Sequence, residues 1–288
     1  MTYVHDGAGR YGPVGFCIYC GKTAADLRAG EVLSSEHIIP EGIGAELELL
    51  GASCPDCRDI TSAFERECLR KLFGPARAFY GIYGSRHKKE RPTTWPVQLK
   101  SPGGMFTQSL EVPLAQYPFG MGMFVLPPAG MLVGRPRDAG YAFESRFKVI
   151  QDPRADAFAA AITAADPWHR RVLVIHDIPL GDFCKQLAKI AHSFAIASLG
   201  PHGFEPFLRD AIIAPRDDAR DAPHFVGGAT WADNTPIDTM WRGSTWHELR
   251  LLRQPFEGQS LLVVRVQLFA PLGTPVYDVV AGSLGLPA

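Results

Sequence analysis

The chain has 288 residues, 46% of them hydrophobic and 20% charged, with a formal net charge of −1. That length can bury one large core or two smaller ones, and the near-neutral balance places no demand for nucleic acid, although a local basic patch can still steer one. No stretch reaches about 18 uninterrupted apolar residues, and the opening MTYVHDGAGRYGPVG lacks the basic and then apolar run of a signal peptide, so the expectation is a soluble, cytoplasmic chain that does not enter a membrane.

The first feature in chain order is the knuckle CIYCGK, with Cys17 and Cys20. The second, SCPDCRD, carries Cys54 and Cys57 after 33 intervening residues. Cys68 and Cys184 stand alone and read as buried, apolar-like side chains. In a reducing compartment two CxxC pairs read as metal and not as disulfides. Four thiolates suit a tetrahedral Zn²⁺, and a closed Cys₄ shell leaves no position for water or substrate, so such a zinc is structural.

Between the knuckles lies EVLSSEH, followed by the Pro- and Gly-containing loop IIPEGIG. Glu36 offers a hard oxygen for a divalent ion and His37 an imidazole for proton abstraction. Such a dipeptide by itself is most often a solvated surface pair. Here the zinc would clamp both flanks of the loop that carries it.

From Asp59 to about Phe79 the apolar residues Ile60, Phe64, Leu69, Leu72 and Phe73 recur at helical spacing. Arg66, Arg70 and Lys71 lie off that stripe, and Gly74-Pro75 marks a break or kink. Charge changes sign at this point. Residues 1–57 hold three basic and eight acidic groups; residues 58–100 hold ten basic and four acidic. The run Arg86, His87, Lys88, Lys89 and Arg91 reads either as a solvated linker or as a grip on a phosphate backbone.

A boundary near residue 92 is the natural cut. It separates an N-terminal module, 1–92, from a larger mixed α+β segment, 93–288, whose role is substrate recognition, partner binding or homodimer formation. TWPVQL, SLEVPL and GMFVL read as strands. DAFAAAITAAD reads as a short helix and RRVLVIH as a buried strand. GDFCKQLAKIAHSFAIASLG is the strongest helix, with Asp182 at its N-cap and Gly200 at its stop. Lys185, Lys189 and His192 share one of its faces, as a functional polar stripe or as a core or solvated one. WHELRLLRQ and QSLLVVRVQLF flank Gly258 as a hairpin, and TPVYDVVAG reads as a last strand. No Walker A, G-x-G-x-x-G or G-x-S-x-G signature occurs.

The order C-I-Y-C-G, S-E-H-I-I-P-E-G-I-G, C-P-D-C resembles the zinc-containing, endonuclease VII-like branch of the HNH, or ββα-metal, endonucleases. The likeness covers about residues 15–75. It implies an N-terminal zinc-stapled, treble-clef-like ββα module. His37 then matches the general base that activates water against a phosphodiester, and Glu36 a ligand of a catalytic Mg²⁺ or Mn²⁺. Two positions depart from the family pattern. Arg58 stands where the family has Asn or His as a second metal ligand, and a guanidinium has no lone pair to give. The family's middle Asn, which orients the histidine, has no counterpart in LELLGAS.

Asp59 is a replacement ligand or a first-turn acid complementing the helix dipole. Glu65 is a further ligand or a solvated carboxylate. Arg58 holds a substrate phosphate or lies idle at the surface. The stretch from Ala52 to Pro92, and AKIAHSFAIASLG, also resemble a large group of bacterial HNH-type proteins. The implied activity is metal-dependent hydrolysis of nucleic acid, DNA before RNA, with phosphate contacts from Arg66, Arg70, Lys71, Arg86, Lys88, Lys89 and Arg91. The other class is a zinc-stabilised module that binds nucleic acid or protein through a non-catalytic site.

Overall fold

The computed structural model describes residues 4–5, 8–82, 92–100, 107–117, 119–137, 146–151, 154–165, 171–173, 179–215, 222–229 and 247–285. Within them the chain is mixed α+β, as its patterning predicts. It begins with β1 (Val4–His5) and β2 (Ala8–Tyr11), then β3 (Ser34–His37), β4 (Glu46–Ser53) and α1 (Pro55–Glu67). Strand β4 is central in a three-stranded sheet, parallel to β2 and antiparallel to β3. Its alternation explains the placement. Leu47 and Leu49 are buried, while Glu46 is exposed and Glu48 partly shielded on the other face.

The single helix predicted over 59–79 is divided. α1 starts earlier, at Pro55, where the missing N–H costs nothing in a first turn and Cys54 is still extended. It runs into a π-helical turn over Cys68–Leu72, and α2 (Gly74–Tyr80) begins afresh with Pro75. Gly74 is required by packing: a Cβ there would lie 2.8 Å from the Trp95 ring.

The strands expected next are β5 (Thr94–Lys100), β6 (Thr107–Pro113) and β7 (Gly120–Val125), joined by β8 (Arg146–Gln151), helix α3 (Arg154–Ala165) and β9 (Arg171–Leu173). β5 pairs with β6 and β9, and β7 with β8. Helix α4 (Leu180–Leu199) follows, then β10 (Glu205–Pro206), α5 (Arg209–Ile213), α6 (Ala222–Phe225) and β11 (Val226–Gly228). The chain closes with β12 (His247–Phe256), β13 (Gln259–Leu268) and β14 (Tyr277–Leu284). β12 and β13 form the expected hairpin. Its two turn residues, Glu257 and Gly258, both have positive φ, the conformation that matches strand twist in a two-residue loop.

Helix α4 is the axle of the molecule. Every residue from Asp182 to Ile196 is buried. The helix packs on β13 and β14 on one side and on α1 on the other. Asp182 is not its N-cap; the helix starts at Leu180 after Pro179, and Asp182 sits in the first turn, where a carboxylate complements the dipole. The cut at residue 92 passes through shared structure. β1 is a strand of the C-terminal sheet, paired with β12, and Phe73 packs its ring on Phe183 and Phe269.

His247 ties the loop after β3 to this sheet. Its Nε2–H donates to Ile43 O at 2.8 Å and its Nδ1 accepts from the Phe269 N–H at 3.1 Å. Only a neutral imidazole does both. Burial pushes its pKa from 6.5 down to about 4, against the pull of the Ile43 carbonyl. The unfolded chain takes up this proton near 6.5 and the folded chain not until about 4. Stability is therefore lost as pH falls through that window, by on the order of 3 kcal/mol. A His247→Gln variant is expected to show a flatter urea midpoint between those two pH values than the parent chain. Equal slopes would remove His247 as the cause.

Candidate metal centre and arginine-lined cleft

The two knuckles meet. The Sγ atoms of Cys17, Cys20, Cys54 and Cys57 all lie within 4.8 Å of one another, and Cys20 and Cys54 are 3.6 Å apart. Four sulfurs about 2.3 Å from one ion stand roughly 3.8 Å apart, so this group can hold a metal ion such as zinc. The local backbone shapes the first knuckle. Cys17 N–H donates to Lys22 O at 2.7 Å, and Gly21 N–H returns to Cys17 O at 2.8 Å. Ile18 N–H donates to Ala52 O at 2.8 Å and so joins this knuckle to β4. A hydrogen bond from Cys57 pulls the Cys17 thiol down and pushes that of Cys57 up, as sharing one proton between crowded thiols does.

Beside this group, β3 and α1 enclose a cleft of about 710 Å³. Glu36 and His37 line it from β3; Arg58, Glu65, Arg66 and Arg70 from α1 and the turn after it; and Arg77 from α2. Arg58, Arg66 and Arg70 are exposed and fall at multiples of four residues, on one helical side. The side chain of His37 is 38% exposed, and its Nε2 lies 3.7 Å from Glu48 Oε1, just beyond hydrogen-bond length. Arg10 holds the other Glu48 oxygen at 2.9 Å. His37 and Glu48 also line a smaller cleft of about 450 Å³ with Arg10, Glu41 and Glu46.

Glu36 faces inward. Its Oε1 is 2.6 Å from the ammonium of Lys189, which also lies 2.7 Å from Glu65 Oε1 and donates to the main-chain oxygen of His37. Lys189 is fully buried and Glu36 nearly so. Tyr19 adds a hydroxyl to Glu36 and stands 3.3 Å from Ser193 Oγ. Burial holds Glu36 above the ordinary carboxylate value, with Lys189 opposing it. Burial alone would lower Lys189, but Glu36 and Glu65 together outweigh it and raise the ammonium pKa.

Lys189 is one of three polar side chains along the predicted α4 face. Lys185 donates to Ala214 O and Pro215 O at 2.6 and 2.8 Å. Burial pushes His192 down to about 4, so it is neutral, and its Nε2–H donates to Ile18 O at 2.8 Å. The face is a buried one, the core alternative, with its polar ends bonded. It anchors the knuckle, the Glu36 strand and the segment after α5.

Of the residues singled out in the sequence, Glu36, His37, Arg58, Glu65, Arg66 and Arg70 share the cleft. Asp59 does not line it. It is exposed, with Arg58 Nη2 at 3.3 Å from its Oδ1. Lys71 turns to Glu67 at 3.1 Å. Arg86, Lys88, Lys89 and Arg91 lie outside the described residues. The expected divalent-ion pair of Glu36 and Asp59 is therefore revised: an ammonium takes the first carboxylate and the second belongs to the surface. Glu48 and Arg77 had no sequence signal, and Lys189 had one only as part of a helical face. Comparison of the chain with protein-family models, curated proteins and solved structures finds no match.

Proposed function

We propose that the chain is an HNH-type phosphodiester hydrolase acting on nucleic acid, DNA before RNA, with a structural zinc in the Cys₄ group. The observation that carries this reading is His37, half-exposed at the edge of a cleft lined by four arginines. Arg58, Arg66 and Arg70 seat the phosphodiester, since guanidinium forks match phosphate oxygens. His37 takes a proton from water as it attacks phosphorus. The guanidinium groups balance charge that develops on the phosphate oxygens. No step is assigned to Mg²⁺ or Mn²⁺, because the residues present do not suit a divalent ion at Glu36.

The test uses supercoiled plasmid and purified full-length chain, with and without added divalent ions. His37→Ala is expected to lower cutting by roughly 10²–10⁴-fold, the usual worth of a general base, with zinc content unchanged. Cutting that survives the substitution would sink this mechanism.

A second reading, a zinc-stabilised nucleic-acid-binding module without catalysis, is favoured by the ion pair that occupies Glu36. Under it, plasmid stays intact while Arg66→Ala weakens DNA binding and reduces its salt dependence.

A further inference from the structure

We propose that Lys189 is a built-in cation, standing where Glu36 and Glu65 would otherwise hold a divalent ion. Its ammonium is 2.6 and 2.7 Å from one oxygen of each carboxylate, and these come from the two walls of the cleft, β3 and α1. Its third N–H is spent on the His37 main-chain oxygen. Two carboxylates and a main-chain oxygen thus surround the ammonium.

The position is fixed from behind. Lys189 rises from the middle of α4, in a run where every residue is buried, and α4 is wedged between α1 and the C-terminal sheet. The helix that carries Lys189 is held between those layers, and the side chain itself is fully enclosed. A Mg²⁺ or Mn²⁺ bound through Glu36 would need its oxygen at about 2.1 Å. It would then sit against a positive charge only a few ångströms away, in a place of low dielectric. The resident charge excludes the incoming one.

The consequence is positional as well as electrostatic. One side chain offsets one of the two inner carboxylate charges, and the four arginines of the cleft outweigh the one that remains, so the cleft keeps a net attraction for phosphate. The same side chain fixes the backbone of His37. Lys189 is therefore a positioning residue, acting through His37 and Glu36.

The inference rests on the cleft described above, but its readout is metal binding and not cutting, so it can fail or stand independently of the hydrolase reading. The probe is Mn²⁺ added to zinc-loaded full-length chain, with free Mn²⁺ followed by electron paramagnetic resonance. The wild-type chain is expected to leave the signal undiminished. Lys189→Ala is expected to gain one bound Mn²⁺ per chain, and Lys189→Ala combined with Glu36→Gln to lose it. A wild-type chain that binds Mn²⁺ and loses it on Glu36→Gln overturns the proposal. So does a folded Lys189→Ala chain that binds none. Should Lys189→Ala fail to fold, the wild-type and Glu36→Gln titrations decide alone.

Discussion

Replacing Cys57 with serine, or stripping metal with a strong chelator, is expected to unfold the N-terminal layer of the molecule. Three of the four knuckle cysteines are buried in the core, and their backbones hold the edge of β4 and the first turn of α1. Without a cation, the four sulfurs within 4.8 Å have only thiol contacts with one another, and the two knuckles are joined by weaker links such as the Ile18 N–H to Ala52 O bond and the exposed Lys22–Asp56 ion pair. A structural zinc contributes binding free energy directly to folding, on the order of 10 kcal/mol, which is as large as the net stability of an ordinary domain. The loss should spread. His192 anchors on Ile18 inside the first knuckle, and Lys189 on Glu36 and His37, so α4 loses its partners as well. Elemental analysis should find one zinc per chain, and the thermal transition of Cys57→Ser should fall far below that of the parent or vanish. A chain that carries no zinc and melts unchanged as Cys57→Ser would end the staple interpretation.

What the sequence made legible was local. Two CxxC pairs state their own chemistry, and the strand between them delivers Glu36 and His37 wherever the staple goes. Gly258 between two alternating runs announces its hairpin, and the long apolar run of α4 announces its helix. Legibility ended where a contact spans the chain. The partner of Glu36 lies on α4, far along the chain from β3, and no spacing rule links the two.

The α1 residues show a subtler limit. Asp59, Ser62 and Glu65 share a helical face by spacing, yet the cleft is lined by Arg58, Thr61, Ser62 and Glu65. Successive side chains on a helix point about 100° apart. Shifting the buried face by one residue puts Arg58 over the cleft and turns Asp59 to solvent. The π-turn after Glu67 was hidden for a similar reason, because it serves packing between layers and carries no composition of its own.

Lys189→Met is expected to cost about 3–5 kcal/mol at neutral pH, because it leaves Glu36 and Glu65 buried without their cation. Both carboxylate side chains are largely shielded, at 6% and 17% exposure, so solvent gives little relief. The loss should depend on pH with a definite sign. Burial already holds Glu36 above the ordinary carboxylate value with the ammonium in place, and removing the ammonium raises it further. A carboxyl group whose folded pKa exceeds its unfolded one favours the fold below the unfolded value, and that contribution is lost as pH rises through the folded pKa. The variant should therefore be weakest at neutral pH and recover toward the parent as pH falls toward the ordinary carboxylate value. Adding Glu36→Gln and Glu65→Gln to Lys189→Met should restore most of the loss at neutral pH, since no uncompensated charge then remains buried. Denaturant midpoints at neutral and acid pH for the three chains measure this. A Lys189→Met chain within about 1 kcal/mol of the parent at neutral pH would mean that the ammonium is not what keeps the two carboxylates inside.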